Sequence, residues 1–392
     1  MTKTHNPFLI GNPYNQLPCT RQHKGQAHVD RPPRTIDEIE TPAAIIDLDL
    51  VKQNIKTLEQ HLDGGPVHVR PHAKTHKTPE IGRLQVKAGA PGLTCAKVGE
   101  AEAMVDGGIN DVLIANQVVG QGKIDRMCSL AERACVTVEV DDAKNIDDIS
   151  ITARKRSVTI GVVVEIDVGG PRAGVLPGGP ALALARQIMD RPGLDFVGLM
   201  AYEGHTVGIE DFATRDKAAR EALAPVIETR KLCEEAGIPV NQVTGGATNT
   251  FDITSTIAGW TELQAGTYVT MDAWFRTHVG HVFAQAFWIL CSVTSRSKPG
   301  YVHMDGGRKS LALEPTGVPV IDRPEGFLIE AVAEEHLHVK ILPGAPELLP
   351  GDRVRVTPWH GCTTFNLHDT LYVLRGHEVV DIWSITGRGQ FT

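Results

Sequence analysis

The chain has no cysteine pairing to staple it. Its seven cysteines (Cys19, Cys95, Cys128, Cys135, Cys233, Cys291 and Cys362) are dispersed without a paired spacing. An odd, scattered set reads as reduced thiols of a cytosolic protein rather than a disulfide framework. A basic balance is also missing: 39 Lys and Arg stand against 47 Asp and Glu, a net charge of −8. That disfavours a polyanion binder, which needs a basic face. No run approaches the roughly 20 apolar residues of a membrane span. The first residues, with His5, Asn6, Asn12, Asn15 and Gln16, lack the compact apolar core of a secretory signal, so a cytoplasmic location is expected. Nor does any glycine-rich segment match G-x-G-x-x-G opening a first helix, which sets the chain against a dinucleotide-binding sheet.

What is present is rhythm. The 392 residues suggest about two or three domains. Residues 1–40 are rich in Pro, Asn and His and read as an arm over the body. From Thr41 onward, apolar β-rich runs appear near Val67–Arg70, Gly92–Ala96, Asp111–Ala115, Val136–Val140, Ile160–Ile166, Phe196–Ala201, Val240–Thr244 and Glu262–Thr267. Helical stretches such as Val51–Leu62, Glu100–Asp106, Pro180–Met189 and Asp211–Ala236 punctuate them. Eight such units predict a (β/α)₈ barrel, an α/β fold, over 41–278. After residue 280 the runs Ala286–Thr294, Gly300–Met304, Gly326–Val332, Arg353–Thr357, Thr370–Leu374 and Val379–Ile385 are separated by turns. They predict an all-β domain over 279–392, with Gly376-His377 as a hairpin connection.

Barrels carry chemistry where their strands end. Arg70-Pro71-His72-Ala73-Lys74-Thr75-His76-Lys77 follows the first run. A lysine there can form a Schiff base with a carbonyl compound such as pyridoxal 5'-phosphate (PLP), although a basic surface loop reads similarly. After the seventh and eighth runs come Thr244-Gly245-Gly246 and Gly266-Thr267, where glycines let backbone amides approach a phosphate. Their alternative is tight-turn chemistry. In the β domain His360 and Cys362 lie two apart. In extended backbone they project to one side and can share an ion, whereas a buried cysteine beside a turn histidine fits the same spacing.

Taken together, these residues resemble the fold-type III PLP enzymes of the D-threonine aldolase and D-serine dehydratase group, which are alanine-racemase-like. The resemblance runs from about Thr41 onward and is strongest at Arg70–Lys77, Lys97–Glu100, Val164–Val175, Thr244–Gly246, Glu262–Asp272 and His360–Asp369. It implies a PLP-binding barrel with a β domain, Lys74 as the Schiff-base lysine, and a divalent metal (Mn, Mg or Zn) on His360 and Cys362. It also implies a homodimer and a small D-β-hydroxy-α-amino acid as substrate. Thr364–Asp369 and Ile382–Gly389 look more like the aldolase branch, which cleaves such substrates to glycine and an aldehyde. The alternatives are D-serine dehydratase and 3-hydroxyaspartate aldolase or dehydratase. Within that reading His76 or His205 is the base, and Arg172 and Tyr202 hold the cofactor ring and its phenolic oxygen. Two departures bear on substrate preference. Tyr202-Glu203-Gly204 replaces the Tyr-His-Gly or Tyr-Gln-Gly of that branch, and Gly245-Gly246-Ala247-Thr248-Asn249 replaces Gly-Gly-Gly-Thr-Gly.

Overall fold

The structure is a computed structural model and describes residues 31–392; the arm expected over 1–40 lies, up to residue 30, outside the described residues. Strand β1 (Ala43–Asp47) comes first. It is followed by β2 (His68–Val69), β3 (Leu93–Cys95), β4 (Asp111–Ile114), β5 (Cys135–Val140), β6 (Ile160–Glu165), β7 (Leu194–Ala201), β8 (Gln242–Gly245) and β9 (Glu262–Leu263). From β2 to β9 these strands form one parallel eight-stranded sheet in the order β2-β9-β8-β7-β6-β5-β4-β3. A parallel bridge between His72 and Thr94 joins its two ends, with the Thr94 amide donating to the Pro71 carbonyl at 2.9 Å. The sheet curls into the α/β barrel that the strand count predicts.

The strands are Val- and Ile-rich because both of their faces are covered. Outer helices form where one stripe can be buried: Gly179–Met189 buries Ala181, Leu182, Leu184, Ala185 and Ile188. Among the helices that the sequence reading does not name are Pro79–Lys87, Gln121–Leu130 and Ala143–Arg156. In two of them the inner face mixes polar groups with apolar ones: Pro79–Lys87 buries Gln85 beside Ile81, and Ala143–Arg156 buries Asn145, Ser150 and Thr152 beside Ile146 and Ile149. Such a face blurs the 3.6-residue apolar repeat.

The second layer contains β10 (Phe287–Ser295), β11 (Tyr301–Met304), β12 (Phe327–Val332), β13 (Leu337–Ile341), β14 (Arg353–Val356), β15 (Thr370–Arg375) and β16 (Glu378–Ser384). The β15–β16 hairpin turns at Gly376-His377 as the sequence indicates. Only β13 is new. The expected start of the barrel at residue 41 needs correcting, because β1 lies between β10 and β15, antiparallel to one and parallel to the other. Its isolated run of Ala and Ile carries no mark of which sheet it joins. One apolar cluster runs from Ile46 through the barrel to Phe287, Phe365 and Leu371. In it the Phe287 and Phe365 rings stack at 3.9 Å. That stack pins the short helix Gly361–Phe365 against the start of β10.

Candidate active site

An open cavity of about 730 Å³ lies at the C-terminal end of the barrel strands. Among the residues lining it are Lys74, Arg172, Tyr202, Gly245, Gly246, Gly266 and Thr267, seven of those singled out from the sequence. Lys74 sits in the single helical turn Ala73–Thr75 that follows β2. Its Nζ lies 5.7 Å from the Tyr202 ring centroid, and the Arg172 guanidinium lies 5.2 Å from the same ring. Burial, joined by the Arg172 charge, lowers the Lys74 pKa from that of an ordinary lysine. Burial also pushes the Tyr202 phenol up to about 12. Arg172 is held by Glu165, whose Oε1 accepts from Nε at 2.6 Å, and faces Glu139 at 3.9 Å. Glu139 and Glu165 are 1 % exposed. Burial, then the Glu165 charge, raises the Glu139 carboxyl well above the usual range.

The glycines have steric reasons to be there. A Cβ on Gly266 would stand 2.6 Å from Thr75 Oγ1 and 2.9 Å from the His72 carbonyl. The loop after β9 therefore lies directly against the lysine turn. Gly246 has φ +80, a conformation that favours glycine. The backbone amides of Gly246, Thr248, Gly266 and Thr267 have no protein acceptor among the described residues. Unpaired amides beside a lysine and an arginine suit an anion such as a phosphate. Thr244 is not on the wall. It is fully buried and donates to Glu262 Oε1 at 2.7 Å, while Gln264, which does line the cavity, donates to it at 2.9 Å.

At the cavity's outer edge stand His360 and Cys362. The sequence places both in extended backbone, which holds for His360 but is corrected for Cys362. His360 caps the helix Gly361–Phe365 and Cys362 lies in its first turn. The turn is drawn in by Asp272, whose Oδ2 accepts from the Gly361 amide at 2.8 Å and lies 3.6 Å from His360 Nδ1. Cys362 Sγ is 3.5 Å from Thr75 Oγ1 and 3.9 Å from Thr267 Oγ1. The pair therefore touches both the lysine turn and the second glycine loop. Burial pulls the His360 imidazole down, but the Cys362 thiolate and then Asp272 outweigh it and raise it to about 9. Burial likewise raises the Cys362 thiol, and His360 overrides this to lower it. Asp272, fully buried, is pushed up to about 6 by burial.

The two histidines expected as bases do not reach the cavity wall. His76 is fully buried, its Nδ1 accepts from the Thr78 amide at 3.1 Å, and burial depresses it to about 4. The turn begun at Ala73 aims it behind the lysine. His205 is exposed on the loop after β7, its Nδ1 3.1 Å from where a Gly170 Cβ would stand. The histidine that does line the cavity is His72. It, Glu139, Glu165 and Asp272 escaped the sequence reading of the site. Glu139 and Glu165 had a visible mark, each being a lone carboxylate in an otherwise apolar barrel strand.

Fold and site together define an alanine-racemase-like barrel with a second, β-rich domain. The family model described as "Alanine racemase, N-terminal domain" matches residues 46–273, and "Putative serine dehydratase domain" matches 286–374. The chain is 37% identical to D-threonine aldolase of Arthrobacter sp, over 92% of this chain and 95% of that one. It is 34% identical to 3-hydroxy-D-aspartate aldolase of Paracoccus denitrificans, over 90% and 93% of the two chains. The crystal structure of D-threonine aldolase from Filomicrobium marinum superposes with a TM-score of 0.88 at 36% identity, covering 92% of this chain and 99% of that one. The chain belongs to the D-threonine aldolase family of alanine-racemase-like lyases.

Proposed function

We propose that the protein is a PLP- and divalent-metal-dependent lyase that splits D-β-hydroxy-α-amino acids, with D-threonine and D-allo-threonine as type substrates, into glycine and an aldehyde. The observation that carries this reading is the contact between the lysine turn and the His360–Cys362 pair through Thr75. One site thereby offers an imine-forming amine and a metal-binding edge.

The residues present fit both groups. Lys74 would hold PLP through an imine, Tyr202 and Arg172 would flank its ring, and the free amides of Gly246, Thr248, Gly266 and Thr267 would take its phosphate. When bound, the cofactor supplies an electron sink for charge left at the substrate α-carbon. His360 and Cys362 offer one nitrogen and one sulfur donor, and the described residues show no set of three His, Cys, Asp or Glu arranged to hold a metal ion. Two protein donors suit an open catalytic site, which leaves positions for a substrate hydroxyl and water, and not a closed structural one. A metal there would acidify the β-hydroxyl. Asp272 holds the His360 ring from behind.

The lysine has a second task. Of the ionisable groups lining the cavity, Tyr202 is too weakly acidic to ionise near neutrality and Arg172 stays charged against Glu165. Burial holds His72 well below ordinary histidine basicity. The Lys74 amine, when not bonded to the cofactor, is the basic group left. It takes the β-hydroxyl proton and returns it to the α-carbon, so carbonyl formation on one fragment is balanced by protonation of the other.

The proposal extends to a homodimer in the cytoplasm. Exposed Leu313, Val318 and Leu367 flank the metal-pair helix, an apolar rim that a partner subunit can cover. No helix of the described residues is long and apolar enough to cross a membrane, and the six described cysteines are all free. Incubation of the metal-loaded protein with D-threonine and separately with D-serine tests the reaction. Acetaldehyde and glycine from the first are expected, and pyruvate from the second without acetaldehyde from the first would make the chain a dehydratase.

A further inference from the structure

The segment 385–389 has no place in the chemistry above, yet it touches both halves of the site. The Gly387 amide donates to the Lys77 carbonyl at 2.9 Å. Lys77 ends the turn that begins at Ala73: its amide donates to the Ala73 carbonyl at 2.7 Å, and its φ is +53. Its side chain is tied down as well, Nζ lying 3.3 Å from Oε1 of fully buried Glu100. On the other side the Gly389 amide donates to Asn366 Oδ1 at 3.0 Å, and the Ile385 amide to the Asp369 carbonyl at 2.9 Å. Arg388 Nε adds an ion pair with Asp369. Asn366 is the residue that ends the helix carrying Cys362.

One five-residue stretch thus binds the residue three beyond Lys74 and the residue four beyond Cys362. Gly387 sits where the fit is tightest. A Cβ there would meet the Lys77 carbonyl oxygen at 2.9 Å and Lys77 Cβ at 3.1 Å. These obstacles are backbone and the root of a side chain already held in an unfavourable φ, so they cannot swing aside. A larger residue must move either the lysine turn or the segment.

We propose that residues 385–389 act as a clasp that fixes the separation between Lys74 and the His360–Cys362 pair, with Gly387 as its positioning residue. This rests on the roles given above to Lys74 and to the metal pair. The cleavage proposed above would need the Lys74 amine and the His360–Cys362 pair at one spacing, whereas holding a cofactor on Lys74 alone would not. A misplacement of about 1 Å costs on the order of 100-fold in rate.

The test uses the full-length chain, with and without PLP, as wild type, Gly387→Ala and Asn366→Ala. Hydrogen exchange is followed at Lys77–Thr78 and at Thr364–Asn366, alongside D-threonine turnover, imine absorbance and the urea unfolding midpoint. For each variant, exchange at both sites rises by about 10-fold or more and kcat falls by about 10- to 100-fold. Imine absorbance and the unfolding midpoint stay close to wild type. Asn366→Ala removes the opposite anchor without crowding Lys77, so it decides the matter if Gly387→Ala does not fold. Faster exchange confined to residues 385–392, with unchanged turnover, would show a passive cover and overturn the clasp. Because exchange is read on cofactor-free protein too, a failure of the aldolase reading leaves this outcome legible.

Discussion

Lys74 opens onto the cavity beside Arg172, and desolvation there is the first cause that lowers its pKa from the ordinary 10.5. The neutral amine, the form that attacks a carbonyl, is therefore present at lower pH than for a freely solvated lysine. The rate of PLP rebinding to cofactor-free enzyme should rise with pH through a midpoint below 10.5, followed by imine absorbance; a midpoint at or above that value contradicts the desolvation argument. His76 gives the complementary stability prediction. Its folded pKa is about 4 against an ordinary 6.5, so the unfolded chain binds the extra proton between these values. Its contribution is complete above pH 6.5 and is lost as pH falls towards 4, by up to about 3 kcal/mol. Urea midpoints of wild type and His76→Gln should therefore converge as the pH drops across that window. Lys74, Arg172, Tyr202 and the glycine loops were legible because they stand next to strand ends, where a barrel exposes chemistry. Asp272 was not: what makes it matter is burial against a partner distant in sequence, His360.

At the scale of elements, two loops and one short helix make the site. The barrel strands were legible as short Val- and Ile-rich runs recurring between helical stretches, and the β15–β16 hairpin because its turn residues are typical. The helical twist at Gly361–Phe365 was hidden, since its cause is a hydrogen bond from Gly361 to Asp272, 89 residues away. Gly266→Ala forces a Cβ against Thr75 and His72 and should weaken PLP binding by about 10-fold, near 1.4 kcal/mol, in a fluorescence titration. Unchanged affinity would mean that the loop after β9 does not shape the cofactor site. Chelation probes the helix: EDTA should abolish D-threonine cleavage and leave the imine absorbance, with activity restored by Mn or Mg. Activity that survives thorough chelation removes the metal from the account. Phe365→Ala breaks the stack on Phe287 and should cost about 3–5 kcal/mol in urea unfolding, through the core the two layers share.

For the whole molecule, the first described strand belongs to the β-rich sheet although it precedes the barrel. Pairing of β1 with β10 and β15 knits the start of the chain to its last third, and sequence order concealed this because strand pairing is set by tertiary contacts. The two layers consequently share one apolar cluster, and a single unfolding transition is expected in calorimetry, with the calorimetric and van't Hoff enthalpies in agreement. Two resolved transitions would show that the layers are independent. The central claim, that the turn after the first barrel strand carries the cofactor, is tested most directly by borohydride reduction of the PLP-loaded protein followed by peptide mapping. The reduced pyridoxyl group is predicted on Lys74, and its recovery on Lys77, Lys97 or any other lysine would contradict the account.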